Sequence, residues 1–303
     1  MKDSKVFIKL SLVVGLICTI VGGLIFTIAM SVNKWNFEVF ATQKIEPKTY
    51  EITDYNNVST INVDLSVADV TLLYHDEQKI VVDCYDVRAY RDNEIIRETT
   101  VAVNGNALNI KKNAKKFTWL SIGSFGEEKV VIKVPKGKRI NFIANLSTGD
   151  VTIGEKGLDC YLDDVAINTS TGDVKIEANV TCNTLKIEAD TGDTYINGKL
   201  NANKIEREAD TGFIKINASI IAHEIYIEHD TGDVKCNAYI TAKKIEIDTS
   251  TGDVTLRLLG KKEDYSYVYE MSTGESNIPA FTGGVKIIKI DTSTGDADLY
   301  FEN

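Results

Sequence analysis

From residue 142 to the C-terminus, apolar and polar positions alternate in short runs, and the runs recur at a nearly fixed interval. Thr-Gly dipeptides mark the interval, with glycines at 149, 172, 192, 212, 232, 252, 274 and 295. Two residues after the glycine stand Val151, Val174, Thr194, Ile214, Val234 and Val254, and four after it Ile153, Ile176, Ile196, Ile216, Cys236 and Leu256. Between them lie Thr152, Lys175, Tyr195, Lys215, Lys235 and Thr255, which is the period-two pattern of a half-buried strand. Seven residues before the next glycine come Val165, Leu185, Ile205, Ile225 and Ile245, and five before it Ile167, Ile187, Ile227 and Ile247. Twelve before it come Cys160, Val180, Leu200, Ile220 and Ile240, with Ala202, Ala222 and Ala242 two places later.

Strands this short bury no face alone, but stacked unit on unit they enclose a narrow apolar core. The expected fold is therefore all-β: a parallel single-stranded β-helix (β-solenoid) of about 20 residues per coil, with coils about 4.8 Å apart. A propeller needs roughly 40 residues per blade, which this period does not supply. "LSVADVTLL" at 65–73 is an early, degenerate copy with Ala68 in the glycine position. The division expected is 1–9 cytoplasmic N-terminus, 10–32 transmembrane helix, 33–56 spacer, 57–141 irregular first coils, and 142–303 regular solenoid. A hairpin excursion is expected near 86–127, with Asn104-Gly105 as its turn.

Leu10 to Val32 carries no charge and follows Lys2, Lys5 and Lys9. As a helix it extends roughly 35 Å, enough to cross a hydrocarbon core of about 30 Å. The lysines place the N-terminus in the cytoplasm and the remainder outside. A cleaved signal peptide, with Ala29-Met30-Ser31 at the cleavage site, is the alternative. Cys18 follows Ile17, not a small residue, and the apolar run continues past it, so lipidation is not expected.

An N-terminal membrane segment, the opening "NVDLSVADVTLL", the strand "VVIKVPKGKRI" and the serial "STGDV" turns resemble the bacterial family of domain of unknown function 4097, whose name as an adhesin is provisional. The resemblance covers about residues 50–303. It implies a surface-exposed β-solenoid without known enzyme activity, some relatives being associated with cell-envelope stress systems. It supplies no catalytic, cofactor-binding or metal-binding residue, and none is assigned.

Charge narrows the chemistry. The formal net charge of -10 and pI near 5.0 exclude a basic patch for nucleic acid. Three histidines leave little for a zinc site or acid–base pair. Asp150, Asp173, Asp193, Asp233, Asp253, Glu275 and Asp296 follow the glycine directly, and Glu188, Glu208, Glu228, Asp248, Glu270 and Asp291 precede it by four. Stacked, these make acidic ladders whose repulsion needs an offset, and calcium is one candidate. The alternative is a structural corner, with glycine supplying an unusual backbone angle and Asp accepting from turn amides. No cofactor is expected.

Cys160, Cys182 and Cys236 fall in apolar columns and read as buried hydrophobes rather than disulfides. Asn197, Asn217 and Asn237 share a column suited to an amide ladder. One unit breaks the pattern: Arg207 stands in the isoleucine column and Phe213 in the aspartate column. Since an unpaired charge is costly in so narrow a core, Arg207 is expected to turn outward or reach Glu206 or Glu208.

Acids spread evenly over all units do not gather the distinct cluster that a polysaccharide-active enzyme needs. The leading expectation is a non-enzymatic, membrane-anchored surface binding or structural module, meeting an envelope polymer or a protein. The runner-up is an accessory of an envelope stress response. Self-association through the solenoid end is a further expectation, because "DADLYFEN" leaves almost nothing to cover the last coil.

Overall fold

The structure is a computed structural model that describes residues 2–32, 34–35, 43–91, 94–114 and 128–302, with side chains not considered at 2–12, 43–46, 86–91, 94–97 and 114. It divides into two units: 1–44 with 118–126, and 45–117 with 127–303.

The first unit contains the helix Lys2–Val32. Its Val13–Val32 stretch is long and apolar enough to cross a membrane, and it fits an anchor or a signal sequence. The Thr19 and Thr27 hydroxyls donate to the Gly15 and Gly23 carbonyls at 2.9 and 2.7 Å, so neither needs an outside partner in an apolar surround.

The second unit is mostly β, with its strands hydrogen-bonded into one near-closed sheet around an apolar core. Strand Asn179–Thr191 pairs in parallel with Asp164–Thr171 on one side and Leu200–Thr211 on the other, each residue facing the one 20 positions away. The same offset joins Leu200–Thr211 to Ile220–Thr231, and Ile220–Thr231 to Lys244–Thr251. On a second side Val151–Ile153, Val174–Ile176, Thr194–Ile196, Ile214–Ile216 and Val234–Cys236 stack likewise. The apolar columns of the repeat thus become rows of buried side chains, one per layer.

At both ends, order in space departs from order along the chain. Thr60–Val67 lies between Ala107–Ala114 and Asn141–Thr148, in parallel with both. Asp69–His75 likewise lies between Lys129–Pro135 and Val151–Ile153. Residues within the expected excursion therefore build the outermost parallel layer. Beyond it the pairing turns antiparallel, 81–85 on 129–133 and 97–104 on 107–114. The turn lies one position later than expected, at Gly105 (φ 63°) and Asn106, because Asn104 still pairs with Ala107, and 92–93 and 115–127 lie outside the described residues. The expected spacer is not all linker: Gln43–Ile52 is a strand paired with Ile80–Arg91, while 33 and 36–42 lie outside the described residues.

The C-terminal end corrects the expectation of an uncovered last coil. Lys286–Thr294 does not end the stack but sits between Lys244–Thr251 and Tyr265–Thr273. The chain makes the outer strand first and then threads Lys286–Thr294, its last strand but one, inside it. Ala297–Glu302 pairs with Val254–Leu259, and the Asn277 side chain both donates to the Leu299 carbonyl (3.1 Å) and accepts its N–H (3.0 Å). Tyr265 and Tyr267, both fully buried, close the core against Phe301 at ring distances of 5.3 and 5.7 Å. The outer strand still has a far edge: beyond Lys286–Thr294 it makes only the isolated bridge Tyr267–Phe281 among the described residues, and Val268, Phe281 and Val285 remain exposed there.

Candidate functional site at the threonine-glycine corner

The corner is assembled from strand ends that arrive with the same register in every layer. At Gly149, Gly172, Gly192, Gly212, Gly232 and Gly252, φ lies between 143° and 156°, which side chains disfavour. Crowding is a second reason for glycine: a Cβ on Gly172 would stand 2.0 Å from the Gly149 carbonyl oxygen. The Cα hydrogen instead points at that oxygen, a weak Cα–H···O contact repeated up the column.

The aspartate after each glycine has a defined partner. Asp69 Oδ1 accepts the backbone N–H of Asp150 at 2.9 Å, Asp150 that of Asp173 at 2.9 Å, and Asp173 that of Asp193 at 3.0 Å. Asp193 accepts from Phe213 at 3.0 Å, where the series breaks because phenylalanine has no carboxylate to offer the next layer. It resumes with Asp233 to Asp253 at 3.0 Å, Asp253 to Asp296 at 2.9 Å, and Asp296 to Glu275 at 2.8 Å. Each negative charge meets an amide of the following layer, which offsets the repulsion expected from stacked acids. Lys175 adds a cation, with Nζ 2.6 Å from Asp150 Oδ2 and 3.7 Å from Asp173 Oδ2, and the hydrogen bond to Asp150 raises its pKa.

A second acidic row runs along the outer face. Glu188, Glu208, Glu228, Asp248, Asp291 and Glu270 stand in register one layer apart. Lys186 pairs with Glu188, and Lys289 bridges Glu270 and Asp291 at 3.2 and 3.8 Å. Among the described residues Glu208, Glu228 and Asp248 have no ion-pair partner, and they border a shallow groove of about 330 Å³ with Glu206, Tyr226 and Glu246. No three His, Cys, Asp or Glu side chains among the described residues converge as a metal-binding group.

The irregular layer overturns the expectation for Arg207. It neither turns outward nor meets Glu206 or Glu208: it is 2% exposed, with Nη1 3.1 Å from His229 Nδ1 and Nη2 donating to the Gly192 carbonyl at 3.1 Å. Strand parity decides this, because residue 207 lies in register with Ile187 and Ile227, both inward. The small Ala209, two residues on and beside His229 in the stack, leaves room for the pair. Burial, with the Arg207 charge beside it, pushes His229 down to about 4, while burial lowers Arg207 to about 10. Sequence reasoning missed His229, whose signal was a histidine in an inward column filled by Thr and Ala in the adjoining layers and by Leu146 and Met271 towards the two ends. Phe213 is 36% exposed and packs edge-on against Tyr195 with ring centroids 5.4 Å apart.

The remaining candidates are structural. Asn237 donates to Asn217 at 2.9 Å, Asn217 to Asn197 at 2.7 Å, and Asn197 to Glu177 at 2.7 Å, the expected amide ladder. Cys84, Cys160, Cys182 and Cys236 are buried thiols outside any disulfide among the described residues, and burial pushes the Cys160 and Cys182 thiols up to about 12, far from nucleophilic thiolates.

Comparison with known proteins adds the family. No curated protein matches the chain. Among solved structures, a "putative adhesin" of Bacteroides fragilis shares 17% identity over 84% of this chain and 97% of its own, with a TM-score of 0.48. A "putative adhesin" of Parabacteroides merdae shares 13% over 84% and 98%, with a TM-score of 0.48. A "putative lipid binding protein" of Parabacteroides distasonis shares 14% over 86% and 99%, with a TM-score of 0.41. The Toastrack DUF4097 family profile matches residues 58–299, which takes in the Thr-Gly corners and the strand-built unit apart from residues 45–57 and 300–303, and the chain belongs to that family.

Proposed function

We propose that this protein is a membrane-anchored, single-stranded parallel β-solenoid of about 20 residues per coil, standing outside the cytoplasm as a non-enzymatic surface binding or structural module. In-register parallel pairing at a 20-residue offset supports the winding. Lys2, Lys5 and Lys9 before the apolar helix support the orientation.

The observation that carries the functional reading is the aspartate ladder. The most repeated acidic residue of the chain spends its carboxylate on backbone amides of the neighbouring layer. A motif so engaged builds a stiff rod and leaves the regular outer columns, not a single cleft, as the binding surface. A long face with polar groups every 4.8 Å or so suits an extended envelope polymer or another protein.

Two measurements test this. Protease added to intact cells should remove the strand-built unit and spare the N-terminus; full protection would reject the outward orientation. Deletion of the chain should alter surface attachment or cell aggregation while leaving the response to envelope-directed antibiotics unchanged. The opposite pattern would replace this reading with a role in envelope stress.

A further inference from the structure

Inside the threonine-glycine corner, one inward column reads Thr169, Ala189, Ala209, His229, Thr249 and Thr292 in successive layers. Thr249 and Thr292 are 1% exposed and His229 2%. Among the described residues Thr249 Oγ1, Thr292 Oγ1 and His229 Nε2 have no hydrogen-bond partner at ordinary geometry, although the Gly232 carbonyl lies near enough to His229 to favour its protonated form, and Nε of Arg207, which joins the column through His229, has none either. Buried polar atoms are rarely left unpaired, because each forfeits its hydration without return. Four such atoms in three successive layers and the one before them form a connected feature rather than scattered defects.

Their chemistry is constrained. A guanidinium only donates, so His229 Nδ1 accepts from Arg207 Nη1 and the ring proton lies on Nε2. Both nitrogens are therefore donors: Arg207 Nε–H requires an acceptor, and His229 Nε2–H has only the Gly232 backbone near it, short of an ordinary hydrogen bond. Thr249 and Thr292 are the same residue in the same column one layer apart, so their hydroxyls stand about 4.8 Å from each other. That separation is too long for a direct hydrogen bond, yet one oxygen placed between them lies about 2.8 Å from each. Whatever sits there must both donate and accept, be close to spherical, and fit behind side chains as small as Thr and Ala.

We propose that the inside of this corner is a water-binding track, with one ordered water bridging Thr249 and Thr292 and the line continuing to His229 Nε2–H and Arg207 Nε–H. The track completes the hydrogen bonding of the only inward-facing arginine and histidine of the repeat columns. It makes the stretch from 207 to 292 a wet seam in an otherwise apolar core, and it gives Arg207 a polar surround where no carboxylate bonds it.

The test uses the full chain with Thr249→Val and Thr292→Val, singly, beside Thr249→Ser and Thr292→Ser. Oxygen-17 relaxation dispersion counts long-lived internal waters, and circular dichroism follows folding and melting. The valine variants are expected to lose the contribution of one long-lived water and to melt roughly 2–4 °C lower, while the serine variants keep the water. An unchanged water count with a melting temperature that rises in the valine variants would mean a dry corner and overturn the proposal. A bromide-soaked crystal adds the last arm: an anomalous peak beside Arg207 and His229 would replace water with a halide there, and its absence with water density in place supports the track. A valine variant that fails to fold while its serine counterpart folds and keeps the water also supports it, since the two differ in the hydroxyl.

Discussion

Asp233 Oδ1 accepts the backbone N–H of Asp253 at 3.0 Å, across one layer of the stack. This contact turns the repeated Asp from a source of like-charge repulsion into an interlayer bond. Asp233→Ala is expected to cost about 1 kcal/mol, while Asp233→Asn, which keeps the acceptor oxygen, should cost less than half of that. Urea midpoints at constant slope measure both.

Glycine at the corner answers to two constraints at once. Gly232 has φ 148°, and an added Cβ would stand 2.1 Å from the Gly212 carbonyl oxygen. Gly232→Ala should cost on the order of 3 kcal/mol or more. Gly105 also has positive φ, 63°, but nothing lies within 4 Å of its Cβ position. Gly105→Ala should cost only about 1 kcal/mol, and a difference between the two below that would show that crowding adds nothing to the backbone strain.

The Arg207–His229 contact predicts opposite signs for single and double substitution. His229→Thr installs the residue found in the following layer, Thr249, but leaves the buried guanidinium without its nitrogen acceptor, so a loss of about 3 kcal/mol is expected. Arg207→Ile with His229→Thr restores the repeat in both columns and should be neutral or stabilising by roughly 1–4 kcal/mol. Thermal and urea unfolding of four proteins, the parent chain, Arg207→Ile, His229→Thr and the double variant, close the cycle.

Acid sensitivity follows from the same pair. His229 titrates near 4 in the folded chain, against 6.5 for an ordinary histidine. Its folded pKa lies below the unfolded one, so above about pH 6.5 both states are neutral there and the residue adds no pH dependence. As pH falls towards 4 the unfolded chain binds the extra proton, and stability drops by up to about 3 kcal/mol. The Arg207→Ile/His229→Thr protein should lose this part of the slope between pH 6.5 and 4. An identical slope in both proteins would remove His229 as its cause.

Calcium is the remaining alternative for the acidic rows. With one oxygen of each corner aspartate engaged by an amide, millimolar calcium is expected to leave the melting temperature unchanged. A rise that disappears with Glu208→Gln and Glu228→Gln would instead assign the ion to the outer row.

Columns that repeat every 20 residues were legible because strand parity and stacking both force identical environments on identical positions. That logic recovered the buried rows, the buried Cys160, Cys182 and Cys236 and the Asn197–Asn217–Asn237 ladder. It also placed Asp next to the glycine and offered the turn's own amides or calcium as its partner, whereas the carboxylate meets an amide of the neighbouring layer, which only stacking brings within reach.

The repeat by itself determined local conformation: which residues are strand, which side faces in, and where the chain turns. Only the tertiary structure decided how the ends are closed and how exceptions are tolerated. Lys286–Thr294 threads inside Tyr265–Thr273 because burying an apolar end outweighs keeping chain order, and no local pattern encodes which strand goes outside. Arg207 stays inside for a related reason. Parity alone aims it at the core, and an acceptor 22 residues away, visible only once the layers are stacked, makes the position tenable.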